Sequence, residues 1–296
     1  MKSTLWKCGL SVGVRTITKE VFEGFSRAGI DCMEVSCGYT SSDADTDYKQ
    51  IKAFAKAFGI ELWSYHIPFA PFDEVNIATL APDFRKKSVE LIKGSIDKAA
   101  FLETKVAVIH PSGEPNKPED RQSLMAVAKE SLAIIAEYAD KKGITVAVED
   151  LPRTCLGNCS SDILELISAD SRLRICFDAN HLLEEKNVDF IRKCGGKIVT
   201  THISDYDFLN ERHWLPYEGK NDWVGIVSAL EDVGYCGPFL FETGLKTPAS
   251  ILRRELVYED FYNCYKACVN KTRYEAFGIP ADEVCKSSAY FDEAKI

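Results

Sequence analysis

The feature that most constrains this chain is a rhythm: short apolar, β-branched runs recur along it, separated by longer stretches of helical period. The runs read as strands over Leu5 to Ser11, Cys32 to Ser36, Glu61 to His66, Val106 to His110, Thr145 to Glu149, Arg174 to Asp178, Ile198 to His202 and Phe239 to Thr243. Near-continuous apolar runs of this length suit parallel strands, whose crossover helices keep them out of water. Between them Asp83 to Phe101 and Glu119 to Lys142 are amphipathic, and Gly29, Gly59 and Gly143 stand where helices stop. Eight strand and helix units are the arithmetic of a TIM barrel, and no Gly-x-Gly-x-x-Gly follows the first strand to favour a dinucleotide fold. The sequence therefore predicts an α/β protein, a single (β/α)8 TIM barrel over residues 1–271 with its eighth helix at about Ser250 to Lys271. Residues 272–296 form a short C-terminal extension, whose Tyr274, Phe277, Tyr290 and Phe291 are expected to pack on the barrel or on a partner in a homo-oligomer.

In such a barrel the chemistry gathers where strands end, so the residue that closes each apolar run is informative. "ELWSYH" closes at His66, "VAVIH" at His110, "ITVAVE" at Glu149, "RICFD" at Asp178, "KIVTTH" at His202 and "PFLFE" at Glu242. Of the five histidines, three hold these positions, and His181 and His213 lie in the loops after strands six and seven. Any one of these residues could be an ordinary helix cap or a hydrogen-bonded core group. Together they would be heavily penalised around one barrel mouth without a cation between them. Glu149, Asp178, His202 and Glu242 come from successive strands, so their side chains converge. Three carboxylates and one imidazole make a hard donor set, suited to one divalent ion such as Mn2+, Mg2+, Co2+ or Zn2+.

The formal net charge is -9, without a Lys/Arg run, which opposes a nucleic-acid partner and leaves a small-molecule carbohydrate as the easier substrate. Lys7 interrupts the apolar start too early for a signal peptide, and no segment reaches transmembrane length, so no membrane association is expected. Eleven cysteines are scattered without a Cys-x-x-Cys pair and read as reduced, buried side chains, which fits a cytoplasmic protein.

The motifs "VAVEDLP", "ICFDANH", "TTHISDYD" with "HWLPYEGKNDW", and "GPFLFET" together resemble those of the xylose isomerase-like TIM barrels, a superfamily of sugar phosphate isomerases and epimerases. The resemblance to its ketose 3-epimerases implies a metal quartet of Glu149, Asp178, His202 and Glu242, with Glu149 and Glu242 as the catalytic proton carriers. It also implies substrate contacts from His181, His66 and His110, and the reading places His213, Arg153 and Lys220 at the far end of the substrate. Trp214, Tyr217, Phe69 and Phe72 are expected at the rim, where aromatics close over a sugar. The chain departs from the family's Pro-Gly-x-Gly turn after strand seven, with Tyr217 in place of the first glycine. Proton transfer alpha to a carbonyl, through an enediolate, is the favoured chemistry. A dehydratase or lyase acting on an inosose- or dehydroshikimate-type keto-polyol stays open. So does a phosphodiester hydrolase, because the superfamily's apurinic-site endonuclease has nearly the same ligand types, with an aspartate where this chain has Glu211.

Overall fold

The structure, a computed structural model, describes residues 6–275 and 277–281. Tyr290 and Phe291 lie outside the described residues. Eight parallel strands form the barrel: β1 (Cys8–Gly13), β2 (Cys32–Ser36), β3 (Glu61–His66), β4 (Val106–Ile109), β5 (Thr145–Glu149), β6 (Arg174–Asp178), β7 (Ile198–His202) and β8 (Phe239–Phe241). They alternate with α1 (Lys19–Ala28), α2 (Tyr48–Phe58), α3 (Pro82–Phe101), α4 (Arg121–Asp140), α5 (Ser160–Ile167), α6 (Asn187–Cys194), α7 (Trp223–Asp232) and α8 (Tyr258–Val269). The hydrogen-bonded order runs β7, β6, β5, β4, β3, β2, β1, β8. Between β7 and β8 the ring closes by a single bridge, Ile203 with Phe241, and by the Thr201 hydroxyl donating to the Pro238 carbonyl at 3.0 Å. Pro238 brings no N–H to this edge, so a side chain takes over part of the ladder.

Alternation along the strands sorts two apolar layers. Ala107, Ile109, Val146, Val148, Ile175 and Phe177 join the large core beneath the helices. Val106, Val108, Ala147 and Cys176 form a separate small cluster with Trp63 and Val199 that fills the barrel. Continuing the inner parity by two residues arrives at His110, Glu149 and Asp178, so the same pleat that fills the barrel delivers ionisable groups to its mouth.

Two register shifts adjust this delivery. Met33 lies opposite Leu62, whereas Glu34 lies opposite Ser64, and Ile175 lies opposite Ile198, whereas Cys176 lies opposite Thr200. The extra residue in β7 brings Asp178 level with His202. Bulges of this kind re-aim side chains beside functional sites.

The eighth helix begins at Tyr258, later than the expected Ser250. The Asp260 carboxylate accepts the Val257 N–H at 2.8 Å and pairs with Arg254 at 2.7 Å, which fixes the helix start there. Upstream, β9 (Ile251–Leu252) pairs antiparallel with β10 (Ile279–Pro280). Residues 272–275 and 277–281 thereby lie against the barrel: the Tyr217 hydroxyl donates to the Thr272 carbonyl at 3.0 Å, and Arg254 sits 4.4 Å over the Phe277 ring. Among the described residues, no helix is long and apolar enough to cross a membrane.

Candidate active site

β3, β5, β6 and β7 end on His66, Glu149, Asp178 and His202, while His110 and Glu242 are the first residues beyond β4 and β8. Glu149 is the hub. Its Oε2 lies 3.1 Å from His66 Nε2 and 3.2 Å from His110 Nε2, and its Oε1 lies 2.8 Å from His202 Nδ1. His202 Nδ1 is also 3.5 Å from Glu242 Oε2 and 3.8 Å from Asp178 Oδ2. One potential ligand atom from each of Glu149, Asp178, His202 and Glu242 falls within 4.8 Å of the others.

The hydrogen-bond partners assign protons. His66 Nδ1 faces the Ile67 carbonyl at 3.0 Å and Nε2 faces a carboxylate, so both ring nitrogens donate and the ring is a cation. Burial opposes that charge, yet Glu149 and Glu34 outweigh it and push His66 up to about 9. His202 is raised too: its burial is outweighed by Cys176 and by the Glu242, Glu34 and Glu149 carboxylates around it. His110 is lowered, chiefly by burial. Burial also penalises ionised Glu149, but His202 and His110 hold it well below the usual carboxylate range. Asp178 goes the other way: burial, with the negative charges of Glu242 and Glu149, keeps its proton on. Its Oδ2 is buried without a hydrogen-bond partner. A carboxylate oxygen left unpaired among two other carboxylates and an imidazole is the environment a divalent cation would satisfy, so the residues fit a metal.

His181 donates from Nδ1 to the Asp150 carbonyl at 2.7 Å, which leaves Nε2 facing Glu211 at 3.6 Å. His213 donates from Nδ1 to the Glu242 carbonyl at 3.1 Å. His181, Glu211 and His213 form a second group with ligand atoms within 4.8 Å. Arg153 reaches the same region, but Glu114, Asn210 and Glu211 hold its guanidinium, at 2.7 Å for Asn210 and 3.2 Å for Glu211. Lys220 is exposed and lies outside the pocket, lining with Lys186, Asp189 and Phe208 a hollow that shares Lys186 and Asp189 with the adjoining groove. Of the four rim aromatics, Phe69 and Phe72 line the pocket, and Phe69 stacks on His110 with centroids 4.2 Å apart. Trp214 is instead fully buried, donating to Ser250 Oγ at 2.9 Å, and Tyr217 faces Tyr274 of the C-terminal segment.

The loop after β7 explains those two departures. Asp205 gathers it, accepting from the backbone of Tyr206, Tyr217 and Asn221 and from Trp223 Nε1 at 2.7 to 3.1 Å. Tyr217 itself adopts a left-handed backbone, φ 75°, a conformation that favours glycine. A Cβ at Gly219 would fall 2.3 Å from Asp205 Oδ1, so the close approach of the turn requires glycine there. Around Glu149 and Glu242 the pocket encloses about 100 Å3, and it meets a groove of about 920 Å3 that shares Arg153 and His181.

A family model described as xylose isomerase-like TIM barrel matches residues 22–260. The chain belongs to this family. The chain is similar to the fructoselysine 3-epimerase of Shigella flexneri, 26% identical over 252 residues that cover 80% of this chain and 88% of that protein. The D-psicose 3-epimerase of Ruminiclostridium cellulolyticum is 24% identical over 255 residues, 83% of this chain and 84% of that protein. Among solved structures, a D-tagatose 3-epimerase-like protein superposes with a TM-score of 0.74 at 22% identity, covering 88% of this chain and 98% of that one. The D-psicose 3-epimerase crystallised with D-fructose superposes at 0.72 and 22%, covering 88% and 97%. The relatives and structural neighbours named here are thus sugar epimerases or proteins similar to them.

Proposed function

We propose that this xylose isomerase-like barrel is a divalent-metal-dependent sugar isomerase or epimerase that moves a proton on the carbon next to a carbonyl. The observation that carries the reading is the buried Oδ2 of Asp178, which has no hydrogen-bond partner, inside the group formed with Glu149, His202 and Glu242. These four residues would hold the metal, which when bound supplies Lewis acidity toward a carbonyl oxygen and its neighbouring hydroxyl. Glu149 and Glu242 are both held ionised, below the usual carboxylate range, and line one pocket, so each presents an unprotonated carboxylate to which a carbon-bound proton can pass. Removal by one and return by the other exchanges the configuration at that carbon; return to the neighbouring carbon gives isomerisation. His181, its Nδ1 proton held by the Asp150 carbonyl, turns Nε2 toward a substrate oxygen, and His66 and His110 keep Glu149 oriented. Phe69 and Phe72 exclude water on one side.

The substrate is a carbohydrate carbonyl compound, the class named for the relatives. The groove that meets the pocket at Arg153 and His181 leaves room for one longer than a free ketohexose, such as the ketose and amino-acid conjugate of the Shigella relative. The decisive experiment is metal titration of chelator-stripped protein, wild type against Asp178→Asn, followed by a ketose panel in D2O. One ion per chain, lost in the variant, with deuterium at the carbon beside the carbonyl, supports the reading. No ion bound, or no deuterium from free or conjugated ketoses, overturns it. The His181, Glu211 and His213 group favours a second reading, a multinuclear hydrolase, which a stoichiometry of two or three ions would select.

A further inference from the structure

We infer that Glu34, in the middle of β2, is a positioning residue that fixes the ring of His202 so that Nδ1 faces the metal group. The inference rests on the metal reading of His202. Glu34 is fully buried inside the barrel between the apolar Met33 and Val35, where an ionised carboxylate is costly unless every oxygen is engaged. Both oxygens are. Ser11 Oγ donates to Oε1 at 2.8 Å and Ser64 Oγ donates to Oε2 at 2.7 Å. These two serines stand opposite Glu34 in the register of β1 and β3, and Ser64 does so only because of the shift after Met33; without it Trp63 would face Glu34. The serines thus clamp the carboxylate from both sides.

The third partner is His202 Nε2, at 3.1 Å from Oε1 and 3.2 Å from Oε2. A carboxylate so placed accepts, so Nε2 carries the proton and the lone pair available to a cation is on Nδ1. That nitrogen is the one surrounded by Glu149, Glu242 and Asp178 oxygens. A carboxylate behind a metal-ligating imidazole sets its tautomer and orientation and raises its basicity, and loss of such a partner typically lowers metal affinity about 10- to 100-fold. The nearest alternative role, filling space in the barrel, needs only an apolar side chain of similar size.

The test compares wild type, Glu34→Leu and Glu34→Gln by Zn2+ competition against a chromophoric chelator, with circular dichroism to verify folding. It adds a 1H–15N spectrum of the histidine side chains in the metal-free protein. Expected are a slowly exchanging His202 Nε2–H resonance in wild type that Glu34→Leu loses, and Zn2+ affinity about 10- to 100-fold weaker in that variant. Glu34→Gln, whose amide oxygen still accepts from Nε2, keeps the resonance and stays nearer to wild type. If Glu34→Leu fails to fold, Glu34→Asp, which withdraws the acceptor by one methylene, carries the comparison and is expected to lose affinity. Wild-type affinity in a folded Glu34→Leu or Glu34→Asp overturns the role of Glu34 alone. A wild type that binds no Zn2+ overturns the metal reading and this inference with it, whereas a surviving resonance in Glu34→Leu overturns the hydrogen bond itself.

Discussion

Asp178 and His202 carry opposite protonation problems into one contact. Asp178 is held neutral by burial and by Glu242 and Glu149, and His202 is held charged against its burial by the carboxylates around it. Both must lose a proton to become ligands, so Zn2+ uptake near neutral pH is expected to release protons and to tighten as pH rises. Calorimetric titration in two buffers of different ionisation enthalpy measures this, and equal heats would contradict it. His66 predicts a second dependence. Its folded value of about 9 exceeds the ordinary 6.5, so its contribution to the stability of the metal-free protein is complete below about 6.5 and disappears as pH rises through about 9. The melting difference between wild type and His66→Gln should shrink across that window. The strand-end cluster of ionisable residues was legible in the sequence because an apolar run that stops at a charged residue marks the inner pleat at the barrel mouth. Glu34 was not, since a lone carboxylate inside an apolar run gives no sign of the face it occupies or of the serines beside it.

At the scale of elements, the loop after β7 shows how a non-glycine residue is held in a left-handed turn. Tyr217 takes the left-handed conformation and is held by Asp205, Thr272 and Tyr274. Beside it Glu218 and Arg253 form an ion pair at 3.2 Å with both side chains at 0% exposure. Removing one partner of such a pair leaves a buried charge, so Glu218→Ala is expected to cost about 3 kcal/mol, whereas replacing both residues by apolar ones should cost much less. Denaturant unfolding of the single and double variants separates the two. Element positions were read correctly wherever period and punctuation agreed. The late start of α8 was hidden because Asp260 caps it through Val257, a contact that apolar periodicity does not report.

At the scale of the molecule, Gly278 packs over the Glu218 and Arg253 pair: a Cβ there would fall 2.3 Å from Glu218 Oε1. A chain ending at Lys271 loses that cover, the β9 and β10 pairing and the Phe277 contact with Arg254. Its melting temperature should fall by several degrees, since about 1 kcal/mol corresponds to roughly 2–4 °C in a domain of this size class; an unchanged midpoint would show the segment to be dispensable. The barrel itself was predictable from eight apolar runs, but its weakest junction was not. Between β7 and β8 the described ladder is reduced to one bridge, and His202 and Glu242 stand on either side of it. A cation held by both residues would therefore act as a rivet across an unfinished joint, turning ligand affinity into mechanical closure of the ring. Amide exchange at Ile203 and Glu242 would then report occupancy, and the chelator-stripped protein would unzip first at the seam where its chemistry is assembled.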